Sequence, residues 1–147
     1  MASFTLTVPV EVSANELWSL VSDIPRTAYL FTYLTVEDLT SPAPGHWQYW
    51  RQLTIPNVAT LRWQELSTVI SEGEMQFHAV EGDLETFRGS WQVTPDGISS
   101  WLSLTIEYII PQGVGPNLPG PMATYVMGEI FKTICQRVKE AAEEVYA

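Results

Sequence analysis

The C-terminal stretch constrains this chain most. Between Pro121 and Tyr146, apolar residues recur at Met122, Val126, Ile130, Ile134, Val138, Ala141 and Val145. Steps of three and four place them on one stripe of an α-helix, which Met127, Phe131 and Cys135 widen. Glu129, Lys132, Arg137, Lys139, Glu140 and Glu144 fall largely off the stripe. Such a helix is only marginally stable alone in water, so it needs a broad apolar surface to lie on. The stretches that precede it supply strands.

Phe4, Leu6, Val8, Val10 and Val12 alternate with polar residues, the pattern of a half-buried strand. Ser13 followed by Glu16 reads as a capping box that opens a short helix with Leu17, Trp18, Leu20 and Val21 on its apolar side. Pro25 is expected to close it, and Arg26 to Tyr33 to form a second short helical piece. Strands are expected at Leu34–Leu39, Trp47–Ile55, Thr60–Ser71, around Met75–Val80, over Phe87–Val93 and over Leu102–Ile110. Turns are expected at Ser41–Gly45, Pro56–Asn57, Glu72–Gly73, Glu81–Asp83 and Pro95–Gly97. Connections this short favour antiparallel pairing of neighbours. Gly89 inside a strand marks a bend or a close backbone approach. The fold class is therefore α+β: a curved antiparallel sheet of about six or seven strands around one long C-terminal helix, with two short helices after the first strand. Residues 111–121, rich in Pro and Gly, form either a stiff connector or a rim over the open end of the sheet.

Length and charge exclude several function classes. The 147 residues suit one domain spanning 1–147, with enough chain to bury a core. A net charge of −10, with only 7 Lys plus Arg, argues against a nucleic-acid partner. No apolar run approaches the length of a membrane span. A single cysteine, Cys135, excludes an internal disulfide framework and fits the cytoplasm. His46, His78 and Cys135 have no metal-ligand spacing, and no nucleotide-binding or nucleophile motif occurs, so no cofactor is expected. Six Trp, six Tyr and five Phe supply either large core fillers or an aromatic-lined cavity for a flat, greasy ligand.

The residues VPVEVSANELWSLVSDI, AYLFTYL, FHAVEGDLETFRGSWQVTP and the closing KEAAEEVY occur in an order that resembles the START-like helix-grip superfamily (SRPBCC). The resemblance covers essentially the whole chain and lies in its polyketide cyclase/dehydrase and coenzyme-Q-binding branch. It implies a deep cavity between the concave sheet and the long helix, holding a polyketide, quinone or lipid. It implies either a cyclase, aromatase or dehydratase working without metal or cofactor, or a non-catalytic carrier of a quinone or lipid. Through FRGSW and the helix end the chain is also similar to toxin-like relatives, which implies a protein-interaction module as a further alternative.

Expected lining residues of such a cavity are Phe31, Trp63, Phe77, Phe87, Trp91, Tyr108, Met122, Val126, Ile130 and Ile134. The polar candidates near it are Tyr33, Arg51, Arg62, Glu65, His78 and Glu81. Of these, Tyr33, Arg62 and Glu65 are the first choices for chemistry, since a cyclase needs one acid/base or oxyanion-stabilising group. The related aromatase/cyclases resemble this chain through SDIPRTAYLFTYL and RWQELS, where Tyr33 and Arg62 each fall one residue from the matching positions, Leu34 and Leu61. In a strand one residue changes the face, so a bulge would have to restore the aim of Arg62. Arg62 and Glu65 thus either face the cavity or lie on the solvent face. His78 is expected on the solvent side, and Glu81 in a turn. Trp101 falls opposite the Leu102 face, at the surface or at a contact between two copies in a homodimer.

Overall fold

A computed structural model describes residues 2–56, 59–84, 86–109 and 120–146, with the backbone alone for 120–123. Seven strands are formed: β1 (Ala2–Val10), β2 (Leu34–Ala43), β3 (His46–Ile55), β4 (Ala59–Ser71), β5 (Glu74–Gly82), β6 (Phe87–Asp96) and β7 (Ser99–Tyr108). They make one antiparallel sheet in the order β1-β7-β6-β5-β4-β3-β2. Helices α1 (Ala14–Val21) and α2 (Ile24–Thr27) follow β1, and α3 (Gly120–Val145) follows β7. This is the helix-grip architecture expected from the alternation of strands and the long amphipathic tail.

Each strand keeps a period of two, and the phase sets which residues face α3. On β3 the inward positions are Tyr49, Arg51, Leu53 and Ile55; on β4 they are Leu61, Trp63, Glu65 and Ser67. Met127, Phe131, Ile134, Cys135, Val138 and Ala142 are the buried stripe of α3. The stripe is thus rotated slightly from the expected one: Val126 and Ile130 lie on its margin, and Val145 is exposed. Phe131 is the hub of this contact, with ring centroids 5.9 Å from Phe4, 6.2 Å from Phe87 and 5.9 Å from Tyr108. Such ring pairs stabilise beyond their buried area. The far end of α3 is pinned by polar bonds. Lys139 Nζ donates to Pro9 O at 2.6 Å, and Glu11 N–H donates to Glu143 Oε2 at 3.0 Å.

Ser13 caps α1 as its sequence implies, accepting from Glu16 N–H at 3.2 Å while its hydroxyl donates to Glu16 Oε1 at 3.0 Å. Gly89 answers to the close approach: a Cβ there would lie 2.1 Å from Thr105 O and 2.8 Å from Phe77 Cζ. Trp101 is partly exposed on the outer face.

Three local expectations are corrected. Pro25 does not close a helix but sits in the first turn of α2, where its missing N–H costs nothing. The second helical piece is therefore Ile24–Thr27, and the chain from Ala28 to Tyr33 is turn and bend. Ser41 to Ala43 belong to β2, not to a turn, because an edge strand tolerates Pro42. β2 is irregular: its register with β3 shifts between Glu37 and Thr40, around Asp38 in the left-handed region (φ 55°), and again before Ala43. Glu81 and Gly82 extend β5 beyond the expected turn. The 111–119 part of the expected rim and Ile110 lie outside the described residues.

Candidate functional site

Among the described residues, two neighbouring hollows lie against α3. The inner one is narrow, about 40 Å³, and is walled by apolar side chains including Phe77, Phe87, Trp91, Leu104, Phe131 and Ile134. Tyr49, Arg51, Glu65 and Ser67 bring polar atoms to the same wall. The outer vestibule, about 330 Å³, lies between α3 and the chain from Leu30 to Leu34, with Tyr125, Val126, Ile130 and Arg137 on its helix side. Phe31, Leu34 and Ile134 line both hollows and stand where the two adjoin. Arg137 helps hold one side of the vestibule, its Nε–H donating to Leu30 O at 3.4 Å.

The polar cluster follows from strand register. Tyr49 pairs with Glu65 and Arg51 with Trp63, so the four side chains share the concave face. Glu65 is 3 % exposed and its carboxylate is enclosed by donors. Trp63 Nε1–H donates to Oε1 at 3.1 Å, Arg51 Nε–H donates to Oε2 at 3.4 Å, and the Tyr49 hydroxyl also donates to Oε2. Having one proton, already given to Glu65, Tyr49 accepts from the Ser67 hydroxyl. Burial, then the charge of Glu65, push the Tyr49 phenol far above its ordinary value, which keeps it a donor. The Arg51 guanidinium stacks over the Tyr49 ring, 5.0 Å from its centroid. Its Nη1 is buried and has no hydrogen-bond partner.

The residues singled out from sequence fall into four places. Phe31, Phe77, Phe87, Trp91 and Ile134 line the inner hollow, and Val126 and Ile130 the vestibule. Trp63 and Tyr108 are buried in the surrounding core, the Trp63 ring tilted against Phe87 with centroids 4.9 Å apart. The Met122 side chain lies outside the described residues. Glu65 reaches the cavity wall, while Tyr33 is half exposed at the vestibule. Arg62 is a correction. It occupies an outward position of β4, its guanidinium 4.2 Å from the Trp50 ring centroid and 3.6 Å from Glu37. The nearest register shift, between Gln64 and Glu65 in the pairing with β5, puts its extra residue on β5 and leaves Arg62 outside. His78 is on the solvent side, as expected. Tyr49 and Ser67 were not anticipated as site residues. Their shared phase with Arg51 and Glu65 was the available signal.

The geometry can be set beside known proteins. A family model described as polyketide cyclase/dehydrase and lipid transport matches residues 1–143. The chain belongs to this family. Among solved structures, this polyketide cyclase/dehydrase family chain is similar to a Thermus thermophilus protein (TM-score 0.88, 15% identity, 99% of this chain and 100% of the other). It is similar to the Zhui aromatase/cyclase from a Streptomyces species, with TM-score 0.78 and 16% identity over 97% of this chain and 93% of the other. A START superfamily protein from Mycobacterium smegmatis gives TM-score 0.73 and 18% identity, over 97% of this chain and 98% of the other. At these identities the likeness is one of fold. No curated protein matches the sequence.

Proposed function

We propose that this family member binds a hydrophobic small molecule of the polyketide, quinone or lipid class, without metal or cofactor, in these two adjoining hollows. The observation that carries this reading is a vestibule that shares Phe31, Leu34 and Ile134 with an inner hollow walled largely by aromatic and aliphatic side chains. The vestibule alone falls in the range of about 300–1,000 Å³ that small-molecule sites occupy. The inner hollow takes only the tip of a ligand at its present width. No helix among the described residues is long and apolar enough to cross a membrane, and the thiol of Cys135 is buried and unpaired. We place the protein in the cytoplasm on that thiol.

Cyclase or dehydratase chemistry is the second reading, favoured by the polar cluster of Tyr49, Arg51, Glu65 and Ser67 on a largely apolar wall. Such a site works by positioning a reactive polyketone, excluding water and stabilising developing negative charge on oxygen. Glu65 is engaged by three donors and Tyr49 holds its proton, so neither is free to act as a base. Binding therefore ranks ahead of catalysis.

Native mass spectrometry of protein purified from its own host tests the reading by the mass it retains. A hydrophobic probe should also quench tryptophan fluorescence, and Trp91→Phe should remove most of that quenching, because Trp91 lines the inner wall. A chain that retains no small molecule and shows no quenching with any probe sinks the proposal.

A further inference from the structure

Arg51 is a buried cation with work left to do. Its side chain is 10% exposed, it lines the inner hollow, and Nη1 has no partner. A buried donor without a partner loses the hydration it had in water and gains nothing in return. Its neighbours cannot relieve it. Glu65 already takes Arg51 Nε–H on Oε2, shares that atom with the Tyr49 hydroxyl and takes Trp63 Nε1–H on Oε1. Ser67 is committed to Tyr49. The stack on the Tyr49 ring fixes the plane of the guanidinium.

We propose that Arg51 Nη1 receives a single uncharged carbonyl oxygen, so that the ligand is an apolar ketone or quinone that enters carbonyl-first past Phe31, Leu34 and Ile134. This deepens the binding reading above and rests on it. The charge balance selects the head group. Glu65 lies 3.4 Å from Arg51 and compensates its charge. A carboxylate head would therefore bring a second anion to one cation in an apolar chamber, which is costly. An ammonium head would meet the guanidinium as a like charge. A carbonyl accepts the free N–H and adds no charge. The size of the two hollows sets the direction: the tip occupies the inner one and the apolar body stays in the larger vestibule.

The test uses three probes of matched size, 1-tetralone, tetralin and tetralin-1-carboxylate, titrated calorimetrically at neutral pH. The ketone should bind about tenfold or more tighter than the hydrocarbon, as a hydrogen bond to a charged donor implies, and the carboxylate weakest. The infrared C=O stretch of ¹³C-labelled tetralone should move to lower wavenumber on binding. In the double variant Arg51→Met with Glu65→Gln, which strands no buried charge, ketone and hydrocarbon should bind alike and the stretch should stay unshifted. Equal affinity of ketone and hydrocarbon in the parent, an unshifted stretch, a carboxylate that binds tightest, or a preference surviving in the double variant each overturns the assignment while the cavity reading stands. If none of the three binds, both fall. The infrared arm needs no variant, so the assignment stays testable if the double variant does not fold.

Discussion

Tyr49 and Glu65 stand directly opposite each other on β3 and β4, and the Tyr49 hydroxyl donates to the Glu65 carboxylate beneath the long helix. The pair turns an ionisable wall into a fixed one: the carboxylate is immobilised by donors and the phenol stays protonated. What remains open to a ligand is the guanidinium edge of Arg51.

The buried pair predicts an asymmetry in stability. Arg51→Met or Glu65→Leu alone strands one charge in the core and should cost about 3–5 kcal/mol in urea unfolding. The double variant Arg51→Met with Glu65→Gln should recover most of that loss. Single variants as stable as the parent would show that the pair is not desolvated as described.

Alkaline pH should destabilise the protein through two groups. Burial pushes the Cys135 thiol up to about 12 from an ordinary 9.0, and burial with the Glu65 charge raises the Tyr49 phenol. Above pH 9 the unfolded chain loses the thiol proton while the folded chain keeps it. The unfolded state then binds fewer protons and stability falls with rising pH. Below pH 9 the contribution is fully present, and it is lost progressively toward pH 12. Urea titrations between pH 8 and 11 should show the decline, reduced at its onset in Cys135→Val. The native thiol should also resist a disulfide reagent until the chain unfolds.

Arg62→Ala is expected to be nearly silent. Its partner Glu37 is half exposed and the Trp50 stack is at the surface, so the stability change should stay within about 1 kcal/mol. Affinity for a hydrophobic probe should stay within about twofold of the parent, a change of about 0.4 kcal/mol. A tenfold loss of affinity would return Arg62 to the site.

Gly89→Ala should destabilise by about 1–3 kcal/mol or more, as overpacking does. The added methyl would meet a backbone oxygen, Thr105 O, at 2.1 Å, and a strand carbonyl has little room to move. A melting temperature equal to the parent's would show that β6 and β7 can part there.

Sequence and structure agree where one residue's pattern suffices. The phases of β1 and β7, the Ser13 cap and the long helix all follow from local periodicity. The site was harder because it depends on pairs. Alternation puts Trp63, Glu65 and Ser67 on one face of β4 and Arg62 on the other, but it does not say which face α3 covers. Only the register with β3 brings Tyr49 and Arg51 beside Glu65. The lining shared by the two hollows needs more still, since Phe31 and Leu34 join Ile134 from about a hundred residues away, a closure no local pattern encodes. The Pro-containing segment of β2 misled for a different reason: Pro argues against a central strand, and the strand order that makes β2 an edge is a tertiary property.

That edge also bears on how the chain behaves when crowded with copies of itself. An unpaired strand edge is a template on which a second molecule can add its own strand. On β2 the regular ladder with β3 runs only from Leu34 to Glu37 before the left-handed Asp38 breaks it, and Pro42 follows. An incoming strand would find too short a run of aligned donors and acceptors to hold, so fibril-like growth is blocked at that end of the sheet. At the opposite end β1 is paired in unbroken register with β7 from Ala2 to Val10; it carries Pro9, whose carbonyl accepts from Lys139 of α3. The two ends are thus guarded by different means, a broken ladder at β2 and, at β1, a proline held by the long helix.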